Sequence, residues 1–148
     1  MQDLCFPGKE EDFLAIAERL DLKLTFVYKK LPQKEGNIMA LSDLSFLDSR
    51  KALKKDSLVH GLFETEVKLN QVVCKIAAKN GCTFLLPFAP LLRMTLPQRA
   101  ERLAKWAFAL RLFKKYKVHY RVVSFAKDPS ELRSKLQLDA VVASLRQR

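Results

Sequence analysis

The sequence predicts an α/β protein with five or six parallel strands, and three observations support this fold class. The chain opens with a strand, a helix and a second strand, and a β-α-β crossover joins parallel strands. Short β-rich segments then alternate with helical segments to the end of the chain. Apolar residues make up 49% of the 148 residues and charged residues 29%, which suits a single domain over residues 1–148 and excludes disorder.

The opening β-α-β unit comes from three adjoining segments. Residues 2–6 predict a short strand that the turn signal Pro7-Gly8 ends. Residues 9–20 space their apolar side chains as a helix does, with acidic residues in the first turn, where the helix dipole favours them. Residues 22–28 alternate and are rich in β-formers, so they predict the second strand.

The middle of the chain predicts a strand at 38–41 and a short helix at 44–53. Residues 57–61 have the composition of a buried strand. Residues 66–80 predict a helix that an Asn-Gly pair ends, and residues 82–88 the next strand.

The last third carries the strongest helix start. A Thr-Leu-Pro-Gln sequence supplies a capping oxygen, an early proline and a glutamine three residues on, so a long helix is expected over 96–117. Residues 119–125 predict a strand. An Asp-Pro-Ser-Glu capping box then predicts short helices at 131–135 and 138–146.

The cysteines and the termini predict the compartment. Cys5, Cys74 and Cys82 are an odd number without a CxxC pair, which favours a reducing cytosol over a disulfide framework or a cysteine zinc site. The N-terminus lacks the order of a signal peptide, and the longest apolar run, 82–92, is shorter than the roughly 20 residues of a membrane span. A cytoplasmic protein without membrane contact is expected.

Positive charge is concentrated in residues 93–148, which hold 14 of the 27 basic residues and 4 of the 16 acidic ones. This section has a net charge of +10, and the rest of the chain +1. Such asymmetry favours a polyanionic partner, above all nucleic acid, although a solvated basic surface explains it too. The candidate RNA contacts, called the basic set below, are Arg93, Arg99, Arg102, Lys105, Arg111, Lys114, Lys115, Lys117, Arg121, Lys127, Arg133 and Lys135.

Two members of the basic set have special positions. Arg93 follows a predicted strand end, where α/β folds place ligands, or it is an ordinary loop charge. Arg133 lies early in a predicted helix, so its guanidinium and the helix N-terminus could share one phosphate. The alternative is an internal pair with Glu131 or Asp128.

The predicted helix 96–117 has two apolar stripes. One faces the sheet and consists of Leu103, Trp106, Ala107, Leu110 and Phe113. The other, called the second row below, consists of Phe108, Leu112 and Tyr116. A surface helix needs one stripe only, so the second row is either a partner-protein surface or a face that other parts of the chain cover.

Catalytic motifs are missing from the sequence. The four glycines stand far apart, so neither a P-loop nor a GxGxxG loop is present. The histidines, His60 and His119, lie in predicted strands. Asp3, His60 and Glu64 are the strand-end candidates, too few for a multi-metal phosphoesterase. No catalytic residue and no metal site is therefore expected.

An ordered series of segments nevertheless resembles a known family. It includes AAKNG at 77–81, a strand ending near 91–93, KKYKV at 114–118, a strand ending in Ser-x-Ala at 124–126, and ELRS at 131–134. The N-terminal DLCFP also fits. Together they resemble archaeal ribonuclease P protein component 3, the relative of the eukaryotic thirty-kilodalton subunit, best over residues 57–145.

The resemblance implies a TIM-barrel-like, PHP-like parallel barrel of five to seven strands, related to metal-dependent phosphoesterases but without their metal site. Where those enzymes place paired histidines at the first strand end, this chain has Cys5 and Pro7. The section between Tyr28 and Ser57 is shorter than in the family, so an incomplete or compressed barrel is expected.

The resemblance further implies a non-catalytic subunit of the ribonuclease P endoribonuclease, which supports a catalytic RNA in removing 5′ leaders from precursor tRNA. The implied partners are ribonuclease P RNA, precursor tRNA and protein component 2, with Mg²⁺ on the RNA and no cofactor on the protein. The alternatives are a degenerate PHP-like phosphoesterase and a general RNA- or protein-interaction module.

Overall fold

The computed structural model describes residues 2–33 and 36–147 and divides into two compact units. The first unit comprises the described part of residues 1–43 together with Pro87–Met94 and Val122–Ala143. The second comprises Leu44–Leu86, Thr95–Arg121 and residues 144–147. Lys34 and Arg148, which the charge count includes, lie outside the described residues.

The first unit contains a three-stranded parallel sheet in the order β1-β2-β3. Its strands are β1 (Gln2–Cys5), β2 (Lys23–Tyr28) and β3 (Ile38–Ala40), and helix α1 (Glu10–Arg19) connects β1 to β2. Helix α1 buries Phe13, whose ring lies edge-on to Phe26 of β2 with 5.8 Å between centroids. The predicted β-α-β opening is confirmed.

Strand β1 has a second backbone neighbour late in the chain. The N–H of Phe125 donates to the Leu4 carbonyl at 2.8 Å, and the N–H of Phe6 donates to the Ala126 carbonyl at 2.8 Å. These bonds make a parallel bridge between β1 and the residues that follow the last strand. Residues from β1, α1 and β2, together with Ala89, Ala126 and Leu132, form a hydrophobic core in this unit.

A second sheet has four strands in the order β4-β5-β6-β7. They are β4 (Ser45–Phe46), β5 (Leu58–His60), β6 (Thr83–Pro87) and β7 (His119–Val123). Strand β5 pairs in parallel with both β4 and β6.

Four more helices lie in the described part of the chain: α2 (Gln71–Asn80), the five-residue α3 (Ala89–Arg93), α4 (Leu96–Tyr116) and α5 (Lys135–Arg146). Helix α2 leads into β6, α4 leads into β7, and the two helices pack against each other.

Helix starts follow the local sequence. The side chain of Asn70 accepts bonds from two backbone N–H groups at 2.9 and 3.0 Å and begins α2. The predicted capping box of Thr95 and Gln98 begins α4. Before α5, the Ser134 N–H donates to the Gln137 amide oxygen at 2.9 Å and the Gln137 N–H donates to the Ser134 hydroxyl at 3.2 Å, a second reciprocal cap.

Three predicted helical segments were wrong in type or start. Residues 44–53 form β4 and a 3-10 turn (Arg50–Ala52), because the Leu47 N–H donates to the His60 carbonyl of β5 rather than to a carbonyl of its own turn. The Asp-Pro-Ser-Glu box caps a 3-10 turn (Pro129–Glu131), so the helix predicted at 131–135 is absent. Helix α2 begins after its Asn cap, five residues later than predicted. The strand expected to end near 91–93 ends at Pro87, and residues Ala89–Arg93 form the unpredicted helix α3.

The α/β class with parallel sheets is confirmed. The described residues form seven strands, more than the five or six that the sequence pattern predicts, because β4 lies in a segment predicted as a helix; seven is within the range that the resemblance implies. A closed barrel is not confirmed, because these strands form two separate sheets. None of the described helices is both long and apolar enough to cross a membrane.

Candidate nucleic-acid interface

Helix α4 and the residue that caps its end carry seven members of the basic set, and the buried face of α4 holds it in the second unit. Trp106, Leu110 and Phe113 are buried, as predicted, whereas Leu103 and Ala107 are only half-buried. The rings of Trp106 and Phe63 stack with 6.3 Å between centroids. This packing fixes the rotation of α4, and it thereby decides which cations face outward.

Arg102, Lys105 and Lys115 of α4 contact side chains within the chain. The Arg102 guanidinium lies 5.3 Å from the centre of the Phe63 ring, and Lys115 Nζ lies 5.5 Å from the centre of the Tyr116 ring. Lys105 Nζ lies 2.8 Å from Glu101 on the next turn. The hydrogen bond and charge of Lys105 lower the pKa of Glu101. Both side chains of the Lys105–Glu101 pair are solvent-exposed, so this pair holds Lys105 weakly.

A groove in the second unit brings Arg111 and Lys114 of α4 together with Arg146 at the end of α5. Three apolar residues, Ala107, Leu110 and Leu145, complete its lining, and its volume is about 300 Å³. Arg146 is not in the basic set. Sequence spacing could not place it there, because the end of α5 reaches α4 only through tertiary packing.

The other basic-set members of the second unit, Lys117, Arg99 and Arg121, differ in their exposure. Lys117 is exposed at the end of α4, where its φ of 56° is left-handed, and its N–H bonds the Phe113 carbonyl. Arg99 lies near the start of α4 and Arg121 in β7, and both are half-buried.

In the first unit, Arg93 does not lie free in a loop after a strand, which corrects that reading. It ends helix α3, and its guanidinium donates to both carboxylate oxygens of Glu131, Nε at 2.7 Å and Nη2 at 2.6 Å. Burial raises the pKa of Glu131, but the bonds from Arg93 and from the N–H groups of Lys127 and Asp128 outweigh it and leave the pKa below its usual range. Arg93 is therefore held by the fold.

Arg133 lies between the 3-10 turn and α5, so the predicted helical position is wrong. Its Nη1 donates to the carbonyls of Ser130 at 2.8 Å and Leu132 at 2.7 Å. The guanidinium also lies 6.0 Å from the centre of the Phe88 ring. Neither predicted acidic partner bonds it, since Glu131 pairs with Arg93 and Asp128 with Lys9 at 3.0 Å.

The last two members of the basic set, Lys127 and Lys135, also lie in the first unit. Lys127 Nζ lies 5.9 Å from the centre of the Phe6 ring, and Lys135 pairs with Asp139 on the next turn of α5 at 3.0 Å. Of the four basic-set members in this unit, Arg93 is thus the one held by a bidentate ion pair.

The second row is open at one end and half-buried at the other. The residue Phe108 is 47% exposed, whereas Leu112 and Tyr116 are half-buried. The Tyr116 hydroxyl donates to the Gln71 amide oxygen of α2 at 3.4 Å. Phe108 lines an apolar groove of about 480 Å³ with Leu62, Phe63 and other residues of the segment before α2. Phe108 is therefore the exposed member of the second row.

The catalytic candidates have structural partners. The buried Asp3 accepts bonds from the N–H groups of Leu4 at 2.9 Å and Ser124 at 2.6 Å. His60 lies edge-on to Phe46 with 5.2 Å between ring centroids. Its burial lowers the pKa of the imidazole, and the nearby Glu64 opposes that shift. Over residues 2–33 and 36–147, no three His, Cys, Asp or Glu side chains cluster as a metal site.

The fold is similar to that of a chain in a solved complex. The cryo-EM structure of archaeal ribonuclease P with mature tRNA contains a chain that superposes with a TM-score of 0.70. The match covers 99% of this chain and 83% of that chain at 15% sequence identity, so the similarity concerns the fold. No protein-family model matches the sequence, and no curated protein matches it.

Proposed function

We propose that this chain is a non-catalytic protein subunit of ribonuclease P, of the component 3 type. In this role it binds and stabilises the catalytic RNA that removes 5′ leaders from precursor tRNA. The observation that carries the proposal is the fold similarity to a chain of an archaeal ribonuclease P complex over 99% of the present chain. The family resemblance of the sequence, best over residues 57–145, supports it independently.

The charge distribution supports an RNA partner. The net +10 of residues 93–148 includes Lys114, Lys115 and Lys117, which are exposed around the end of α4. Cations in such positions neutralise phosphates and release the counterions condensed on RNA. Where RNA helices pack together, a basic protein surface would reduce the Mg²⁺ that the folded RNA requires. This effect accounts for a subunit without catalytic residues of its own.

A protein partner is the second part of the proposal. Component 2 would cover the open end of the second row, where Phe108 is 47% exposed beside an apolar groove. Lys68 and Lys105 line the same groove, so the complementary face should be apolar with acidic groups at its rim.

RNA binding is tested by the salt dependence of affinity for ribonuclease P RNA. One variant replaces Lys114, Lys115 and Lys117 with Gln, and a matched control replaces the exposed lysines Lys23, Lys29 and Lys30. Each phosphate contact contributes about −0.9 to the slope of log affinity against log salt on a duplex. The first variant should flatten the slope, whereas the control should leave it unchanged. Equal slopes for both variants would mean that the basic section serves solubility only.

The subunit role is tested by reconstitution. Ribonuclease P RNA and component 2 are assayed for precursor tRNA cleavage with and without this chain, over a series of Mg²⁺ concentrations. The chain should shift the required Mg²⁺ downward. A cleavage curve that the chain does not change would contradict the proposed role.

A further inference from the structure

The groove of Arg111, Lys114 and Arg146 is a place where the fold concentrates positive charge on an apolar floor. Its six lining residues are three cations and three apolar residues. Arg111 and Lys114 are three residues apart on α4, so their side chains leave the same face of the helix about 5–6 Å apart at Cβ. Arg146 approaches from the end of α5. Three positive charges around one concave volume attract an anion more strongly than the same charges spread over a surface.

An aromatic stack orients the Arg146 side chain. The Phe84 and Phe113 rings stack with 5.1 Å between centroids, and Phe113 and Tyr120 with 5.7 Å. The Arg146 guanidinium lies 5.7 Å from the centre of the Tyr120 ring, and its Nη2 donates to the Tyr120 hydroxyl. The stack begins with two buried rings of the core and ends at an exposed cation. Tyr120 therefore orients a side chain that would otherwise lose conformational entropy on binding.

We infer that this groove is a phosphate-binding seat for the RNA backbone, in which Arg111, Lys114 and Arg146 contact adjacent phosphates and Tyr120 positions Arg146. The inference rests on the proposed RNA-binding function and names the site within it. A guanidinium fork suits phosphate oxygens, and the apolar floor of Ala107, Leu110 and Leu145 suits the C–H face of a ribose. An RNA backbone is favoured over an acidic protein because the exposed Lys115 and Lys117 extend the charge beyond the groove, as a continuous polyanion requires.

The first experiment measures binding of the full chain to a duplex RNA of about 20 base pairs over a series of salt concentrations. The groove variant replaces Arg111, Lys114 and Arg146 with Gln. The matched control replaces three exposed lysines of the same unit, Lys51, Lys54 and Lys55, with Gln. The groove variant should lose about 2–3 from the log–log salt slope, and the control should retain the wild-type slope. Unchanged melting temperatures show that both variants fold.

The second experiment is a double-mutant cycle between Tyr120 and Arg146. Tyr120→Phe keeps the ring stacked on Phe113 and removes only the hydroxyl that accepts from Arg146. It should weaken RNA binding several-fold in the wild-type background and have no effect beside Arg146→Gln. An equal effect in both backgrounds would overturn the positioning role of Tyr120.

The outcomes separate the inference from the proposed function. If the wild-type chain shows salt-dependent RNA binding and the groove variant binds like the control, the groove is not the seat and the RNA-binding proposal stands. If the wild-type chain shows no salt-dependent binding to duplex RNA, both proposals fail. If polyglutamate at equal charge concentration displaces the duplex as well as unlabelled RNA does, the groove recognises acidic protein and the inference is wrong.

Discussion

Arg93 and Glu131, 38 residues apart in the chain, form a two-pronged ion pair with N–O distances of 2.7 and 2.6 Å. Glu131 also accepts the Lys127 N–H at 2.8 Å and the Asp128 N–H at 3.3 Å, so one carboxylate serves both the ion pair and the cap of the 3-10 turn. Its side chain is only 13% exposed. The two-pronged geometry and the burial of Glu131 make the pair stronger than an ordinary surface ion pair, while the Arg93 side chain remains 39% exposed.

Replacing Glu131 with Gln should destabilise the protein at pH 7 by about 1–3 kcal/mol, because Arg93 loses its charged partner. The free energy of unfolding in urea measures the effect. The exposed Glu66→Gln is the control, with no effect expected. A Glu131→Gln stability equal to that of wild type would show that the ion pair is not stabilising.

The carboxylates of Asp128 and Glu131 should make the protein less stable in acid. Hydrogen bonds from the Ser130 N–H and hydroxyl and from Lys9 lower the pKa of Asp128 from 3.8 to about 2, and the pKa of Glu131 is also lowered. Depressed pKa values mean that the unfolded state binds more protons. This stability is therefore present above about pH 4.5 and is lost as the pH falls toward about 2. Unfolding curves across this range should depend less on pH for the variant Asp128→Asn, Glu131→Gln than for wild type. A parallel pH dependence would contradict the assignment.

The thiols of Cys5 and Cys74 should be unreactive in the folded protein. Burial raises the pKa of Cys5 to about 12, with help from the charges of Asp3 and Glu10, and burial raises the pKa of Cys74 to about 11. At pH 8 no more than about one molecule in a thousand carries either thiolate. A disulfide reagent should modify no more than a trace of either thiol in native buffer and should modify both in denaturant. Rapid native labelling of Cys74 would contradict the buried setting.

The Phe108 surface should affect assembly rather than folding. Phe108→Ser should lower affinity for component 2 by about fivefold or more, since truncating a central aromatic at an interface costs more than about 1 kcal/mol. Its melting temperature should stay near that of wild type, because the residue is 47% exposed. Leu96, 76% exposed at the start of α4, supplies the control Leu96→Ser, which should leave binding unchanged. Equal binding by both variants would exclude this surface from the partner interface.

The chain alone should not cleave precursor tRNA. Asp3 accepts bonds from two backbone N–H groups and His60 packs on Phe46, which are structural roles. His60→Ala should leave the cleavage rate of the reconstituted complex unchanged. Metal-dependent cleavage by an RNA-free preparation, abolished by His60→Ala, would favour the phosphoesterase alternative instead.

The sequence by itself determined the features that depend on neighbouring residues. Caps act over three or four positions, so Thr95 and Gln98 begin α4 where predicted and the β-α-β opening follows from periodicity. Net charge also needs no structure, and the basic section was evident from composition. The helix predicted at 44–53 was wrong because this segment pairs with β5 instead. A local sequence pattern contains no information about that contact.

Only the tertiary structure decided which side chains the basic residues contact and which of them face solvent. Arg93 meets Glu131 across 38 residues, and Arg146 meets Tyr120 across 26. Such pairs depend on how helices pack, and the sequence spacing of two charges that far apart carries no information about their distance. The same packing turns Phe108 outward and half-buries Leu112, although both belong to one helical row. Net charge and helix caps follow from the local sequence, whereas the partner of each charged side chain depends on how the chain folds.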